Sequence, residues 1–333
     1  MEKWVGKTIN SEEAKEQSKV QTIKYLDEFE DTISTYFDRI GIENVHLDLE
    51  RQSVALPSTP AQDMANTLKT KYPYLNIDNV HKKITNLREV KSNFEIEKIK
   101  KAIEITKEGI ESMAKNIKPG MKENEVEAYF DFTIKKLGAS NHAFSTICAS
   151  GKNATILHYE DNDQEIKDNE LILFDLGAEY EYYCADISRT IPANGKFTDR
   201  QKQIYNIVLS AVKEVQNKAK AGMSLKDLND IAKDTLANGC LEIGLIKDKE
   251  EISKYYFHSV SHSLGLDTHD VFNRENLLRE NAIITNEPGL YIEEESIGIR
   301  LENDLLITKD GCINLSVDIP IEIEDIEKLI NNK

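Results

Sequence analysis

LFDLGAEYEYYCADISRT, residues 173–190, sets two carboxylates, Asp175 and Asp186, eleven positions apart in one β-rich stretch. The ELILF run that leads into it is apolar enough for a buried strand, and the whole segment reads as strands and a hairpin. An unpaired carboxylate on a buried strand is costly. Two that face each other across paired strands raise one pKa strongly unless a cation neutralises them. A metal ion is the simplest neutraliser; an ion pair with Arg189 is the plainer alternative.

Three further stretches add candidates. FHSVSHSLGLDTHDVF (257–272) holds His258, His262 and His269, three of only seven histidines in the chain. Imidazole suits Mn, Co, Fe and Zn. The spacing of His258 and His262 would place both on one helix face, while the serines and Gly265 between and after them suit a strand or loop equally. In TNEPGLYI (285–292), Glu287 follows a strand-like run and precedes a Pro-Gly turn, where an exposed glutamate is the ordinary expectation. In SIGIRLENDLLIT (296–308), period-2 alternation puts Arg300 and Glu302 on one sheet face, opposite an apolar face. Four carboxylates and a neutral imidazole form an oxygen-rich set that suits Mn²⁺, with Co²⁺, Fe²⁺ or Zn²⁺ as competitors. That charge suits two ions about 3.5–4 Å apart better than one.

The bulk numbers allow this chemistry and exclude other classes. The chain has 333 residues, 40% hydrophobic and 30% charged, with a net charge of −17. Such a field repels nucleic acid and anionic membranes. No apolar run reaches the roughly 20 residues of a spanning helix, and MEKWVGKTINSEEAKEQ lacks the apolar core of a secretory signal. The four cysteines include no CxxC pair, so reduced thiols in a cytoplasmic protein are expected.

Element order gives the fold class. Helices are expected at 22–40, from Thr59-Pro60 to Lys71, from Ser92 to Lys118-Pro119-Gly120, and at 123–137, 198–220 and 225–243; Ser92 and Glu95 have capping-box spacing. Strands are expected at 44–50, 143–150, 170–190, 282–292 and 296–308. Segregated helices and antiparallel strands indicate α+β. From residue 92 on, two halves share the order helix, helix, strands, which hints at pseudo-symmetry. A boundary near residues 86–92 divides the chain into 1–90 and 91–333.

Together these motifs resemble the pita-bread metallopeptidases, above all Xaa-Pro aminopeptidase (aminopeptidase P) and prolidase. The resemblance spans roughly residues 86–320 and rests on ILHY (156–159), LFDLGAEYEYYCADISRT, PANGKFT (192–198), HSVSHSLGLDTHD (258–270), NEPGLYI (286–292) and GIRLEND (298–304). It implies a pita-bread catalytic domain with pseudo-two-fold halves over 91–333, preceded by a shortened creatinase-type α/β domain over 1–90. By position, Asp175 resembles the ligand of one metal alone, Asp186 and Glu302 the bridging carboxylates, and His262 and Glu287 the ligands of the second metal. His158, His258 and His269 match histidines that bind substrate and stabilise developing charge, and Arg300 matches an arginine supporting the site. The implied activity is hydrolysis between an N-terminal residue and a following proline, on a proline-containing peptide, in a homodimer. Prolidase, cutting Xaa-Pro dipeptides, is the alternative, and a non-catalytic binding module on this fold is a third. Ser259 stands where the family often has glycine, and the resemblance implies that 1–90 matches only the later part of the family's N-terminal domain.

Overall fold

The computed structural model describes residues 4, 6–51 and 53–332. The chain divides into two compact units, one ending at Ile84 and the other beginning at Thr85.

In the first unit, helices α1 (Ser11–Ser18), α2 (Phe29–Ser34) and α3 (Pro60–Lys71) accompany two strands, β1 (Asn44–Leu47) and β2 (Asn76–Asn79). The strands pair in parallel. Thr59 caps α3 by accepting from the Gln62 N–H, with Pro60 at its first position, where a missing N–H costs nothing. A small core gathers Phe37, Leu68 and Leu75. The helix expected over 22–40 starts only at Leu26, as one 3₁₀ turn, and closes with a π turn, Thr35–Ile40. Of the six apolar positions at helical spacing that predict it, Ile23, Leu26, Phe29, Ile33, Phe37 and Ile40, Phe37 is buried while Leu26, Phe29 and Ile40 are exposed. This core is too small to cover a six-residue stripe.

The second unit opens with α4 (His81–Glu89, whose first turn belongs to the unit before), α5 (Asn93–Asn116) and α6 (Glu123–Lys136). Ser92 and Glu95 exchange both bonds of the capping box. Strands β3 (Asn141–His142), β4 (Ile147–Ser150), β5 (Leu171–Leu176), β6 (Ala178–Tyr180), β7 (Tyr183–Cys184) and β8 (Ile187–Pro192) follow. Then come α7 (Asp199–Lys218), α8 (Leu225–Glu242), strands β9 (Ile283–Asn286), β10 (Gly289–Ile292), β11 (Ile297–Arg300), β12 (Asn303–Ile307) and β13 (Cys312–Asn314), and α9 (Ile323–Asn331). Among the described residues these strands form three three-stranded antiparallel sheets, β4-β5-β8, β13-β12-β9 and β3-β6-β7, and the hairpin β10-β11; the first two carry the candidate carboxylates. Each half thus pairs two long helices with one such sheet. Buried apolar residues of both halves form one continuous core.

The hairpin expected at 170–190 exists, with an excursion. Between β5 and β8 the chain leaves the sheet to form β6 and β7, which pair with each other, β6 pairing also with β3. The excursion turns at Glu181 and Tyr182, both at positive φ. Gly177 permits the crossing: a Cβ there would lie 1.8 Å from the Ala185 carbonyl oxygen.

One buried arginine joins the halves. Arg189 on β8 donates to the carbonyl oxygens of Ser188 (2.9 Å), Ile319 (3.2 Å), Pro320 (2.8 Å) and Glu302, and to Asn303 Oδ1 (2.9 Å). The expected alternative, an ion pair from Arg189 to Asp175 or Asp186, is therefore not what the residue makes; its donors are spent on backbone carbonyls and on Asn303 Oδ1. An Arg189→Leu variant strands several buried acceptors at about 1–3 kcal/mol each. Urea denaturation is expected to show a loss of at least ~3 kcal/mol; a loss under ~1 kcal/mol would contradict this role.

Candidate metal centre

The two sheets deliver carboxylates to one place from opposite sides. Asp175 lies on the central strand β5, opposite Ser188 in the β5–β8 register. Asp186 enters β8 on the same face, diagonal to Asp175. From the other sheet, Glu287 leaves β9 and Glu302 enters β12. The Glu302 N–H donates to the Ser188 carbonyl at 3.0 Å, so β8 and β12 meet where their carboxylates do.

His262 arrives on an extended segment, not on a helix. Residues 260–264 run along β9: Thr285 N–H donates to the His262 carbonyl (3.0 Å), Glu287 N–H to that of Val260 (2.9 Å), and Leu264 N–H to that of Ile283 (3.1 Å). Alternation along this segment therefore replaces the helical spacing. His262 Nδ1 lies 3.1 Å from the Ser263 carbonyl oxygen. A carbonyl only accepts, so Nδ1 carries the proton and Nε2 keeps its lone pair. Nε2 lies 3.3 Å from Asp186 Oδ2 and 3.5 Å from Glu287 Oε1. Ligand atoms of Asp186, His262 and Glu302 all fall within 4.8 Å of one another.

The centre holds more acceptors than donors. Glu302 is 1% exposed, and its Oε1 has no hydrogen-bond partner; nor does Oδ1 of buried Asp304. The Ser188 hydroxyl, with one proton, lies 2.9 Å from Asp175 Oδ1 and 2.8 Å from Glu302 Oε2. Burial first, then neighbouring carboxylates, pushes Asp186 and Glu302 well above the usual carboxylate range. Burial likewise pushes Glu287 up to about 7 and Asp304 to about 8. Orphaned acceptors of this kind fit divalent cations.

The remaining candidates surround the carboxylates. Arg300, 3% exposed, donates to Asp175 Oδ2 (2.6 Å), Ser188 Oγ (3.0 Å) and Tyr291 Oη (3.0 Å). Its strand, β11, is buried throughout, so the charged face does not look into solvent. His258 donates from Nδ1 to the Ser259 carbonyl (2.9 Å), and Tyr291 Oη lies 2.8 Å from Nε2. Burial and the Arg300 charge hold His258 down to about 4, so it is neutral at pH 7. Glu287, far from an exposed turn, keeps a side chain only 16% exposed. His269 is exposed, with its ring 4.4 Å from that of His262. His158 is also exposed, and near enough that its charge lowers both His258 and His269. Ser188, Thr285, Tyr291 and Asp304 escaped sequence reasoning. Alternation from Asp186 and Glu302 pointed to Ser188 and Asp304; only tertiary pairing reveals Thr285, which accepts from the His262 N–H (3.1 Å).

Sheets that converge on a buried carboxylate–imidazole cluster define a metal-dependent hydrolase. The model of metallopeptidase family M24 matches residues 97–309, and the chain belongs to this family, with its α+β pita-bread fold. It is 31% identical to a Haemophilus influenzae Xaa-Pro aminopeptidase, over 99% of this chain and 79% of that one. It is 35% identical to a Pyrococcus horikoshii Xaa-Pro dipeptidase, over 92% of this chain and 82% of that one. A solved Bacillus anthracis structure, described as a candidate aminopeptidase P, is 53% identical with a TM-score of 0.97, covering 99% of this chain and 79% of that one.

The raised carboxylates make metal-free stability depend on pH. Glu287 and Asp304 have folded values above their ordinary ones of 4.5 and 3.8, so their contribution is full at low pH and lost as pH rises through about 7–8. His258 has the opposite sign: its contribution is present above 6.5 and lost as pH falls towards about 4. Between about pH 6.5 and 8.5 the carboxylates therefore dominate. The melting temperature of chelator-treated protein is expected to fall across that window. Saturating Mn²⁺ should reverse the fall and raise Tm at the upper end by roughly 5–10 °C. A metal-independent, flat profile would contradict this electrostatic account.

Proposed function

We propose that Asp175, Asp186, His262, Glu287 and Glu302 hold two divalent cations, with Mn²⁺ preferred, and that the site hydrolyses the peptide bond between an N-terminal residue and a following proline. The chain is a metalloaminopeptidase of the Xaa-Pro class. The observation that carries this reading is the buried convergence of His262 Nε2 with Asp186 Oδ2 and Glu287 Oε1, beside the partnerless Oε1 of Glu302. The cations, when bound, supply Lewis acidity: a water acidic enough to lose a proton near neutral pH, and a polarised scissile carbonyl.

The chain's own residues do the rest. Asp175 and Asp186 from one sheet, Glu287 and Glu302 from the other, and His262 Nε2 would hold the ions. Glu287, with its side chain 16% exposed, takes the proton of the attacking water and returns it to the leaving nitrogen. His269 donates to the carbonyl oxygen as negative charge develops there. Neutral His258 and exposed His158 flank the proline side. Arg300 holds Asp175 in place through a bond from its guanidinium.

The test compares an Xaa-Pro-Yaa tripeptide with an Xaa-Pro dipeptide after Mn²⁺ reconstitution. Faster tripeptide cleavage, abolished by chelator, is expected, and Asp186→Ala or Glu302→Ala should each lower kcat/KM by about 100-fold or more. Cleavage of the dipeptide alone would replace this reading with a dipeptidase, the name borne by the Pyrococcus relative. Full activity and metal content in either alanine variant would overturn the two-ion scheme.

A further inference from the structure

A second buried ionic cluster lies in the second unit, outside the carboxylate centre. The side chains of Lys91 and Asp270 are each 1% exposed, with Nζ 3.2 Å from Oδ2. Arg88 Nη2 reaches the other oxygen of Asp270 and also Asp267 Oδ2 at 2.6 Å. Lys91 Nζ lies 3.5 Å from Ser263 Oγ, and its backbone N–H donates to the Asn281 carbonyl at 2.9 Å. Burying such a pair is poor value for stability, because desolvation offsets most of the attraction, and apolar replacements of similar volume are often neutral or stabilising. The cluster's geometry points to a different use.

Its bonds lead to His262. The Asp270 N–H donates to the Ser263 carbonyl at 2.9 Å. That same carbonyl accepts the His262 Nδ1–H at 3.1 Å, the bond that leaves Nε2 aimed at Asp186. Gly265 lies between: a Cβ there would stand 2.2 Å from Asp270 Oδ2 and 3.0 Å from Lys91 Cε. The Gly265 carbonyl in turn accepts from Cys184 N–H at 2.9 Å, two residues before Asp186. Turn 263–270 is thus held at the cluster, at Ser263 and at Cys184. It carries His269 at its far end and follows His262 at its near end.

We propose that Lys91 and Asp270, assisted by Arg88, are positioning residues: their buried ion cluster locks turn 263–270 and so fixes the tautomer and aim of His262. This rests on the metal-site reading given above. Residues that orient a metal-binding histidine typically change metal affinity or activity by about 10–100-fold when replaced.

The experiment uses the full chain as wild type, as Asp270→Asn, and as the double variant Lys91→Met/Asp270→Leu. The double variant removes both charges of the buried pair and leaves Arg88 paired with Asp267, so its circular-dichroism melt should stay near that of wild type. Mn²⁺ alone is titrated by calorimetry, and the ¹⁵N shifts of His262 are recorded in the metal-free protein. Wild type should bind Mn²⁺ and show the Nδ1–H tautomer. Both variants should bind Mn²⁺ about 10–100-fold more weakly, lose kcat similarly and keep KM within about threefold, with a mixed tautomer at His262. Wild-type binding and tautomer in the folded double variant would overturn the inference. So would loss of the fold in that variant, since the cluster would then serve the core itself. Failure of wild type to bind Mn²⁺ would remove the metal reading, and this inference with it; binding by wild type and both variants alike would sink only the positioning role.

Discussion

Repulsion among buried carboxylates is the constraint on which the rest of this structure depends. Asp175, Asp186, Glu287 and Glu302 are brought together where solvent is largely excluded, and Asp304 lies beneath them. Left to themselves, such groups resist ionisation, and the cheapest relief is protonation. A cation offers a different relief and turns an electrostatic liability into a binding site. The fold invests in holding that liability still. Arg300 neutralises Asp175, the Ser188 hydroxyl sits between Asp175 and Glu302, and Thr285 contacts Glu287 at 3.4 Å.

The two-sheet architecture explains how one chain assembles this. A single hairpin can present two carboxylates on one face. It cannot surround an ion with them. Here each antiparallel sheet contributes a pair, Asp175 and Asp186 from one, Glu287 and Glu302 from the other, and β8 and β12 touch at Ser188 and Glu302. Arg189 fastens that junction by satisfying carbonyls on both sides. Rigid strands carry the carboxylates, while the extended segment before turn 263–270 brings in His262. The precision of the centre therefore comes from backbone pairing, with side chains only completing it.

Much of this was legible in the residues. Asp175 and Asp186 stood out because an apolar strand has no ordinary use for them. Alternation placed Arg300 and Glu302 on one face of a single strand; the structure splits that strand into β11 and β12, in different sheets, and the two side chains meet instead at the Ser188 hydroxyl. Capping pairs such as Ser92–Glu95 marked helix starts that the structure retains. The failures have physical causes. The spacing of His258 and His262 left helix and strand equally open, and only pairing with β9, which draws the segment straight, decides between them. The stripe at 22–40 looked amphipathic, yet the unit it belongs to offers too small a core to bury it. Thr285 carries no local signal: a threonine on a strand is unremarked until tertiary pairing sets a histidine beside it.

The most direct measurement is the number of Mn²⁺ ions held per chain at equilibrium, by dialysis against the free ion followed by elemental analysis. Two buried pairs of carboxylates meeting across the sheets predict two ions per chain, with the count falling when Glu302 is replaced by alanine. One ion per chain, or a count unchanged by Glu302→Ala, would contradict the claim that the two sheets share a dinuclear centre.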